Sequence, residues 1–193
     1  MRQSWGVVGL AVLAMSCASA PTLEEGPASA RTLKAMPNWY KKPPASSDKY
    51  VYAPATATSQ DLQVAVNKAQ IEGRAVLAAQ LEVKLGALTT RATEEAGALG
   101  DATLRDAYSQ ITKAAVASVL VGTRAKEQQF AIESGVYRVW VLMELPFPVA
   151  GKRFLDQLKS QEQLFERIRN TESVKALYED VMKYEGTGGV RKP

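Results

Sequence analysis

Histidine is absent from this chain, and cysteine occurs once, at position 17. Without histidine the chain lacks the commonest general acid–base group, the commonest metal ligand and every Ser-His or Cys-His catalytic pair. A single cysteine excludes an intrachain disulfide and a metal site built from several thiolates. The sequence also contains no phosphate-binding glycine loop, nucleophile-elbow motif or calcium-loop spacing. It therefore predicts a protein that is not an enzyme and that holds no cofactor or metal.

The chain also lacks a large excess of one sign of charge. The 24 Lys and Arg residues against 20 Asp and Glu give a net charge of +4, and the basic residues are scattered along the 193-residue chain. Scattered cations do not form the basic stripe that binds nucleic acid, so no nucleic-acid partner is predicted. Carboxylates such as Glu94, Glu95 and Glu162 lie on predicted helices among polar and basic residues, which is typical of solvated helix faces.

A long apolar run is missing too, and the one near the N-terminus is short. Arg2 precedes apolar residues 5–16, too few for a membrane span of about 20 residues, and this pattern predicts an export signal over residues 1–16. Residues 13–17, Leu-Ala-Met-Ser-Cys, resemble a bacterial lipobox, in which the cysteine is acylated and becomes the first mature residue. We therefore expect a palmitate-type lipid anchor at Cys17. Because Ala18 rather than aspartate follows it, we expect the outer membrane of the cell envelope.

A competing cleavage pattern lies just beyond the lipobox. Ala18-Ser19-Ala20 is the small-x-small pattern of an ordinary secreted protein, and cleavage there would discard Cys17. That cut would leave Pro21 first, which the ordinary signal peptidase tolerates poorly, so acylation of Cys17 is favoured. Residues 17–35 are small, polar and charged without periodicity, and they predict a flexible tether.

Aromatic residues are few, and the densest group in the mature chain is Trp39-Tyr40, between Pro37 and a Pro-Pro pair at 43–44. Two interpretations remain open for it: a lid packed on the domain edge, or an exposed contact for a ligand or partner. A short tyrosine-rich strand over residues 50–53 follows, and it includes Tyr52.

Apolar and small residues then recur every three or four positions, which predicts a long amphipathic helix. The predicted buried positions are Val66, Ala69, Gly73, Val76 or Leu77, Leu81, Leu85 and Leu88. Thr58 is the predicted helix cap, with Asp61 completing a capping box. Gly73 predicts either a close approach of another element, which we favour, or a tolerated weak spot. Asp101 predicts the cap of a second helix, whose stripe is Leu104, Tyr108, Ile111, Ala115 and Val119.

From about residue 123 the apolar residues recur at every second position, as in a strand. Residues 123–132 and 136–145 flank a short turn containing Gly135 and predict a β-hairpin. In the second strand Trp140 and Leu142 face opposite to Val139 and Val141, so both faces need cover or one is a binding surface. A C-terminal helix over residues 149–185, with a break near 170–171, is the expected cover, and residues 186–193 are expected to be loose.

The predicted fold is therefore α+β. A small three-stranded antiparallel sheet, formed by the tyrosine-rich strand and the hairpin, is packed by two long helices, and a C-terminal helix is added. The predicted domain spans residues 36–148.

These residues carry a resemblance to a known family. Pro37-x-Trp39-Tyr40, the run from Tyr50 to Ala57, the alanine-rich helix and the strand over residues 137–143 resemble the LPP20 family of bacterial lipoproteins. That family is similar in turn to the N-terminal domain of a flagellar H-ring assembly protein. The resemblance implies an envelope lipoprotein of α+β fold and carries over no catalytic residue.

Two functions from different classes follow as expectations. The leading one is a non-catalytic envelope lipoprotein, anchored through Cys17, that binds another protein or itself. The alternative is a periplasmic binding or carrier module that takes an apolar or glycan ligand at a cleft beside Trp39, Tyr40 and Tyr52. Trp140 is a further candidate contact residue if its strand face stays open.

Overall fold

The computed structural model describes residues 27–98, 100–121 and 123–188. In chain order the elements are α1 (Pro27–Ala35), α2 (Asn38–Lys41), β1 (Tyr50–Ser59), α3 (Leu62–Glu95), α4 (Ala102–Leu120), β2 (Ala125–Glu133), β3 (Val136–Pro146), α5 (Phe147–Lys159), α6 (Glu162–Ile168) and α7 (Glu172–Gly186). The predicted α+β class is confirmed, with a three-stranded antiparallel sheet, the long helix α3 packed on it and α7 at the C-terminal end. The expected signal peptide, Cys17 and residues 189–193 lie outside the described residues.

The sheet has the order β1-β3-β2, with both neighbouring pairs antiparallel. The strand that is apolar on both faces, β3, is therefore the central strand. Ser134 and Gly135 connect β2 to β3 with φ values of 49° and 84°. Positive φ at both central residues of a two-residue loop is what a type I′ hairpin turn requires, and its twist matches that of the strands. The predicted hairpin is confirmed.

Helix α3 begins one turn later than its predicted cap. Asp61 is the cap, and its carboxylate accepts a hydrogen bond from the Val64 N–H at 2.8 Å. Thr58 lies inside β1, so the prediction that Thr58 caps the helix was wrong: the strand continues to Ser59 and leaves only a tight connection. At the other end Gly97 has a φ of 70°, and the Gly97 and Ala98 N–H groups bond to Glu94 O and Thr93 O. These paired bonds form a Schellman motif that ends the helix.

The buried side of α3 turns around the helix along its length. Its buried residues are Ala65, Ala69, Gly73, Leu77, Leu81, Leu85, Thr89, Ala92 and Thr93. Spacing of four residues exceeds the 3.6 residues of one turn, so the stripe rotates by about 40° at each step. The first half can therefore face the sheet, while the second half faces other helices and Glu95 bonds to Ser173 of α7.

Gly73 is the point of close approach between α3 and the sheet, as the sequence predicted. A Cβ on Gly73 would lie 2.5 Å from Met143 Cγ of β3 and 3.6 Å from Ala55 Cβ of β1. The first distance is too short for a carbon–carbon contact and the second is an ordinary contact, so the absence of a Cβ at Gly73 lets α3 come nearer to β3. Met143 and Ala55 are themselves buried.

Helix α4 begins at the predicted cap, Asp101, whose carboxylate accepts from the Leu104 N–H at 3.1 Å. All residues of its predicted stripe are buried: Leu104, Tyr108, Ile111, Ala115 and Val119. The expected single C-terminal helix is instead three helices, α5, α6 and α7. The break near residues 170–171 is present, and a second one follows Lys159. These helices pack on α3 and α4 and complete the helical layer, with Phe154 and Leu158 in the core.

The opposite face of the sheet is covered by the N-terminal helices. Trp140 and Leu142 are 1% and 0% exposed, but they lie outside the core cluster that α3–α7 form with the inner face. Gln129, paired with Trp140 across β2 and β3, donates its Nε2 hydrogen to Ala35 O at 2.6 Å, and α2 contacts β3. The prediction that the C-terminal helix covers Trp140 was therefore wrong. Phe147, the first residue of α5, is buried in the inner-face core with Met143 and Leu145, so α5 continues into the helical layer on that face.

The N-terminal cover also changes the expected tether. A helix occupies Pro27–Ala35, and buried Pro37 follows it. The composition of this segment predicted no ordered structure because it contains few apolar residues. Its hydrogen bond to Gln129 and its contacts with β2 supply the docking that the composition did not indicate.

Candidate functional site

The candidate site is the edge of β1, one of the two outer strands. Lys49 O accepts a hydrogen bond from the Phe147 N–H at 2.9 Å, which fixes the phase of the β1–β3 ladder. In an antiparallel pair, alternate residues direct both backbone groups to the partner strand. Odd-numbered residues of β1 therefore point their N–H and C=O toward β3. Even-numbered residues, from Tyr50 to Thr58, point theirs away from it.

The first half of this edge is closed by the loop that precedes the strand. Ser47 N–H donates to Tyr50 O at 2.8 Å, and Tyr52 N–H donates to Ser46 Oγ at 3.1 Å. Gln80 of α3 donates its Nε2 hydrogen to Tyr52 O at 3.0 Å. Lys84 Nζ donates to Ser47 O at 2.8 Å and so ties the same loop to the helix. No strand can pair here without displacing these groups.

The second half of the edge opens into a groove. Pro54 lacks an N–H, which is tolerated because its nitrogen faces the free edge. By the alternation, Thr56 and Thr58 direct their backbone N–H and C=O groups to the same side. The groove has a volume of about 530 Å³ and lies between this edge, α3 and α2. Its lining residues are Tyr40, Pro54, Ala55, Thr56, Ala57, Lys68, Ile71, Glu72 and Val76.

The groove offers a peptide both backbone and side-chain contacts. The free N–H and C=O groups of an edge strand are suited to pair with an extended segment, and neighbouring apolar surface gives such pairing its specificity. Ile71 is 64% exposed on one wall and Tyr40 is half-buried on the other. Lys68 and Glu72 place one charge of each sign on α3 beside it.

The predicted aromatic contacts are not brought together into one cleft. Trp39 packs against Tyr40 with ring centroids 6.2 Å apart and an angle of 73° between the rings. Tyr40 lines the groove, whereas Trp39 does not. Tyr52 lies on the closed half of the strand, beside Tyr50 and under the Lys126 ammonium, 5.0 Å from the ring centroid. Trp140 is buried beneath the N-terminal cover and is not accessible to a ligand.

The edge of β2 is a second surface, which sequence reasoning missed. Phe130 is 49% exposed and Ile132 is 74% exposed, although both lie on the helix-packed face of the sheet, opposite Val139 and Tyr137. Helix α3 packs on β1 and β3 and leaves this strand largely uncovered. The period-two pattern identified these side chains as one face of a strand. Their exposure depends on how far the helical layer extends, which the pattern does not report.

A smaller polar cleft lies between α3 and α4, with a volume of about 260 Å³. Its lining residues are Glu82, Gly86, Thr89, Thr90, Thr93, Arg105, Tyr108, Ser109, Thr112 and Lys113. Most of its hydroxyls are bonded to backbone: Thr89 and Thr90 donate to Gly86 O, and Thr93 donates to Thr89 O. Thr112 Oγ1 is buried and has no hydrogen-bond partner among the described residues. A water molecule would satisfy that hydroxyl, and the cleft contains no pair of carboxylates for acid–base chemistry.

Three ionisable groups with shifted pKa values make contacts between helices. The pKa of Glu95 is lowered, chiefly because the Ser173 hydroxyl, 2.6 Å away, and the Ser173 N–H donate to its carboxylate. The pKa of Lys152 is raised by its ion pair with Glu185 at 2.7 Å. Burial raises the pKa of Tyr108, whose hydroxyl donates to Leu164 O at 3.0 Å. Within residues 27–98, 100–121 and 123–188, no group of three or more Asp, Glu, Cys or His side chains is placed to hold a metal ion.

Comparisons of the chain with protein-family models, with curated proteins and with solved structures give no match. Among the described helices, none combines the length and apolar character needed to cross a bilayer.

Proposed function

We propose that this protein is a non-catalytic lipoprotein of the cell envelope, anchored in the outer membrane by an acyl group on Cys17, whose α+β domain binds other proteins. The proposal includes membership of the LPP20 family of lipoproteins, which the residues named above resemble. The anchor part is supported by the short apolar run and the lipobox-like residues before Cys17. Two or more acyl chains on one residue would give a durable attachment, whereas a single chain is marginal.

The interaction part is supported by one observation, the open half of the β1 edge beside an apolar groove. An extended peptide that pairs with Thr56 and Thr58 would lie along this edge, with its side chains directed alternately toward Tyr40 and toward Ile71. The closed first half of the edge limits such a segment to a few residues. Since only Tyr40 of the three expected aromatic residues lines the groove, a protein segment is favoured over the expected carrier function for an apolar or glycan ligand.

The anchor is tested by metabolic labelling with palmitate, followed by membrane fractionation. The wild-type protein is expected to incorporate label and to sediment with membranes, and Cys17→Ser is expected to lose both properties. An unlabelled, soluble wild-type protein would refute the anchor.

The interaction is tested in cells with a photoreactive benzoylphenylalanine introduced at position 71, inside the groove. Val83, 72% exposed on α3 and outside the groove lining, is the matched control position. Thr58→Pro removes an N–H that faces the free edge and leaves the β3 ladder intact, and Thr58→Ala controls for loss of the side chain. Specific adducts are expected at position 71 alone and should be lost with Thr58→Pro only. Adducts that are equal at both positions, or insensitive to the proline, would argue against edge pairing.

A further inference from the structure

At the centre of the β2 edge, no described residue outside the sheet makes a backbone hydrogen bond to residues 128–132. The Phe147–Lys49 bond makes the odd-numbered residues of β3 bond to β1, so its even-numbered residues bond to β2. Ala131 and Gln129, the partners of Arg138 and Trp140, therefore direct their backbone groups inward. By alternation, Gln128, Phe130 and Ile132 direct theirs to the free edge. Protected edges carry a proline, an inward charge, a bulge or a covering element. Here the register shift is confined to residues 125–127, and residues 128–132 contain no proline and no charge.

Exposed apolar side chains stand beside these free backbone groups. Phe130 and Ile132 are both on the inner face, and the helical layer does not extend over them. Another β2 strand from a second copy would present the same two side chains on the same face. An edge that offers both unpaired backbone and its own complementary side chains is suited to pair with itself across a two-fold axis.

We propose that β2 pairs antiparallel with β2 of a second copy of this chain, forming a continuous six-stranded sheet. This inference deepens the proposed interaction role by naming one partner. It uses a different edge from the β1 groove, so either proposal can fail alone.

Side-chain chemistry selects one register among the three that pair the outward backbone groups. A two-fold axis at Phe130 would set Glu127 opposite Glu133 of the second copy, and directly opposed like charges are destabilising. An axis at Gln129 would set Lys126 opposite Ile132. An axis at Ala131 sets Phe130 opposite Ile132 on both sides of the axis and opposes no like charges. The expected centre is therefore Ala131.

The symmetry of this pairing agrees with the position of the N-terminal helices. The two-fold axis of an antiparallel strand pair within one sheet is perpendicular to that sheet, so both copies keep the same face on the same side. Helices α1 and α2 lie on the outer face in each copy, where Gln129 bonds to Ala35 O. Both N-termini would then leave from one side of the dimer, as attachment to a single surface requires.

The test is cysteine scanning of residues 129–131 in the full chain carrying Cys17→Ser, in which the introduced cysteine is the only thiol. At the centre of the expected register, Ala131 and its symmetry mate form a pair without backbone hydrogen bonds, with Cα atoms about 4.5 Å apart, and this separation accepts a disulfide. Mild oxidation is expected to give a covalent dimer with Ala131→Cys in preference to Gln129→Cys or Phe130→Cys. Preference for another position would overturn the register, and no dimer at any position would overturn the proposal.

Self-association is measured independently by sedimentation equilibrium of the same full chain. The double substitution Phe130→Lys/Ile132→Lys is expected to weaken dimerisation by about tenfold or more, because it removes two symmetric apolar pairs and adds like charges. Val83→Lys/Met182→Lys changes similarly exposed apolar residues on α3 and α7, outside both strand edges, and should leave the dimer unchanged. Circular dichroism checks that each variant is folded. A wild-type chain that stays monomeric, or a dimer weakened equally by both double substitutions, would refute pairing at β2, whereas loss of the groove adducts alone would not.

Discussion

Substitution of Gly73 by alanine tests the close approach of α3 to the sheet. Alanine in a helix interior is normally more favourable than glycine, by about 0.5–1 kcal/mol. At Gly73, however, the added Cβ would lie 2.5 Å from Met143 Cγ. Met143 is buried, so its side chain can move only by displacing neighbours, and overpacking of this kind costs about 1–3 kcal/mol. The steric cost exceeds the helix-propensity gain over most of that range, and we expect net destabilisation.

Gly86 provides a matched control within the same helix. A Cβ on Gly86 would meet no atom within 4 Å outside its own helix backbone. Gly86→Ala should therefore show the propensity gain alone, about 0.5–1 kcal/mol of stabilisation. The difference in unfolding free energy between Gly73→Ala and Gly86→Ala isolates the steric cost and should be about 1–3 kcal/mol.

The assay is urea denaturation followed by circular dichroism, with a requirement that the m-value stays constant among the variants. Met143→Ala supplies the second arm of a double-mutant cycle, because it removes the Cγ atom that the new Cβ would meet. In that background Gly73→Ala should no longer destabilise. If Gly73→Ala stabilises the wild-type protein as much as Gly86→Ala does, the close approach at Met143 does not constrain the fold.

Four further predictions follow from single contacts. Asp61→Ala should cost about 1 kcal/mol in urea denaturation because it removes the α3 cap, and Thr58→Ala should cost much less. Gly135→Ala should cost about 1–2 kcal/mol because its φ is 84°, and Gly86→Ala is the contrasting glycine. The folded-state pKa of Glu95 is lowered, so its contribution to the free energy of unfolding is present above the ordinary value of 4.5 and is lost as the pH falls through the folded pKa. In Glu95→Gln, the urea midpoint should therefore fall less steeply with decreasing pH than in the wild-type protein. Deletion of residues 1–42 removes Trp5 and Trp39, so the remaining fluorescence emission reports on Trp140. The truncated protein should be less stable than the wild type, and its emission should shift to the red because Trp140 becomes exposed. Unchanged emission would contradict the N-terminal cover.

Local chemistry made much of the fold predictable. The hairpin follows from period-two strands around Gly135, and the start of α4 follows from a carboxylate at Asp101 that can reach the Leu104 N–H. The close approach at Gly73 follows from a glycine in an otherwise apolar stripe. The turn and the cap are formed by residues that are close together in the sequence, and the close approach depends on a single residue without a side chain.

The cover of the sheet could not be read in the same way. Residues 27–35 contain few apolar side chains, and Leu33 stays largely exposed, so no stripe marks this segment as a helix that docks. Its position depends on the Gln129 amide, which is distant in sequence and bonds to a backbone carbonyl at Ala35. The long stripe of the C-terminal helices was compatible with either face of the sheet. The direction of the chain after β3 selects the face, and periodicity carries no information on that direction.

The sequence indicated Tyr40 as a contact residue but not the open strand edges, and the position of these edges now connects the two proposals. A strand edge can bind a partner only where neighbouring elements do not cover it. Here the helical layer covers β1 and β3 but not β2, and the loop and α3 side chains that close the β1 edge end at Tyr52. If Cys17 is acylated, the nine residues 18–26 can span at most about 30 Å between the bilayer and α1. The start of α1 would then lie within that distance of the membrane surface in each copy. Two anchored copies would meet edge to edge at a high effective concentration, so even a weak β2 pairing in solution would be strengthened on the membrane.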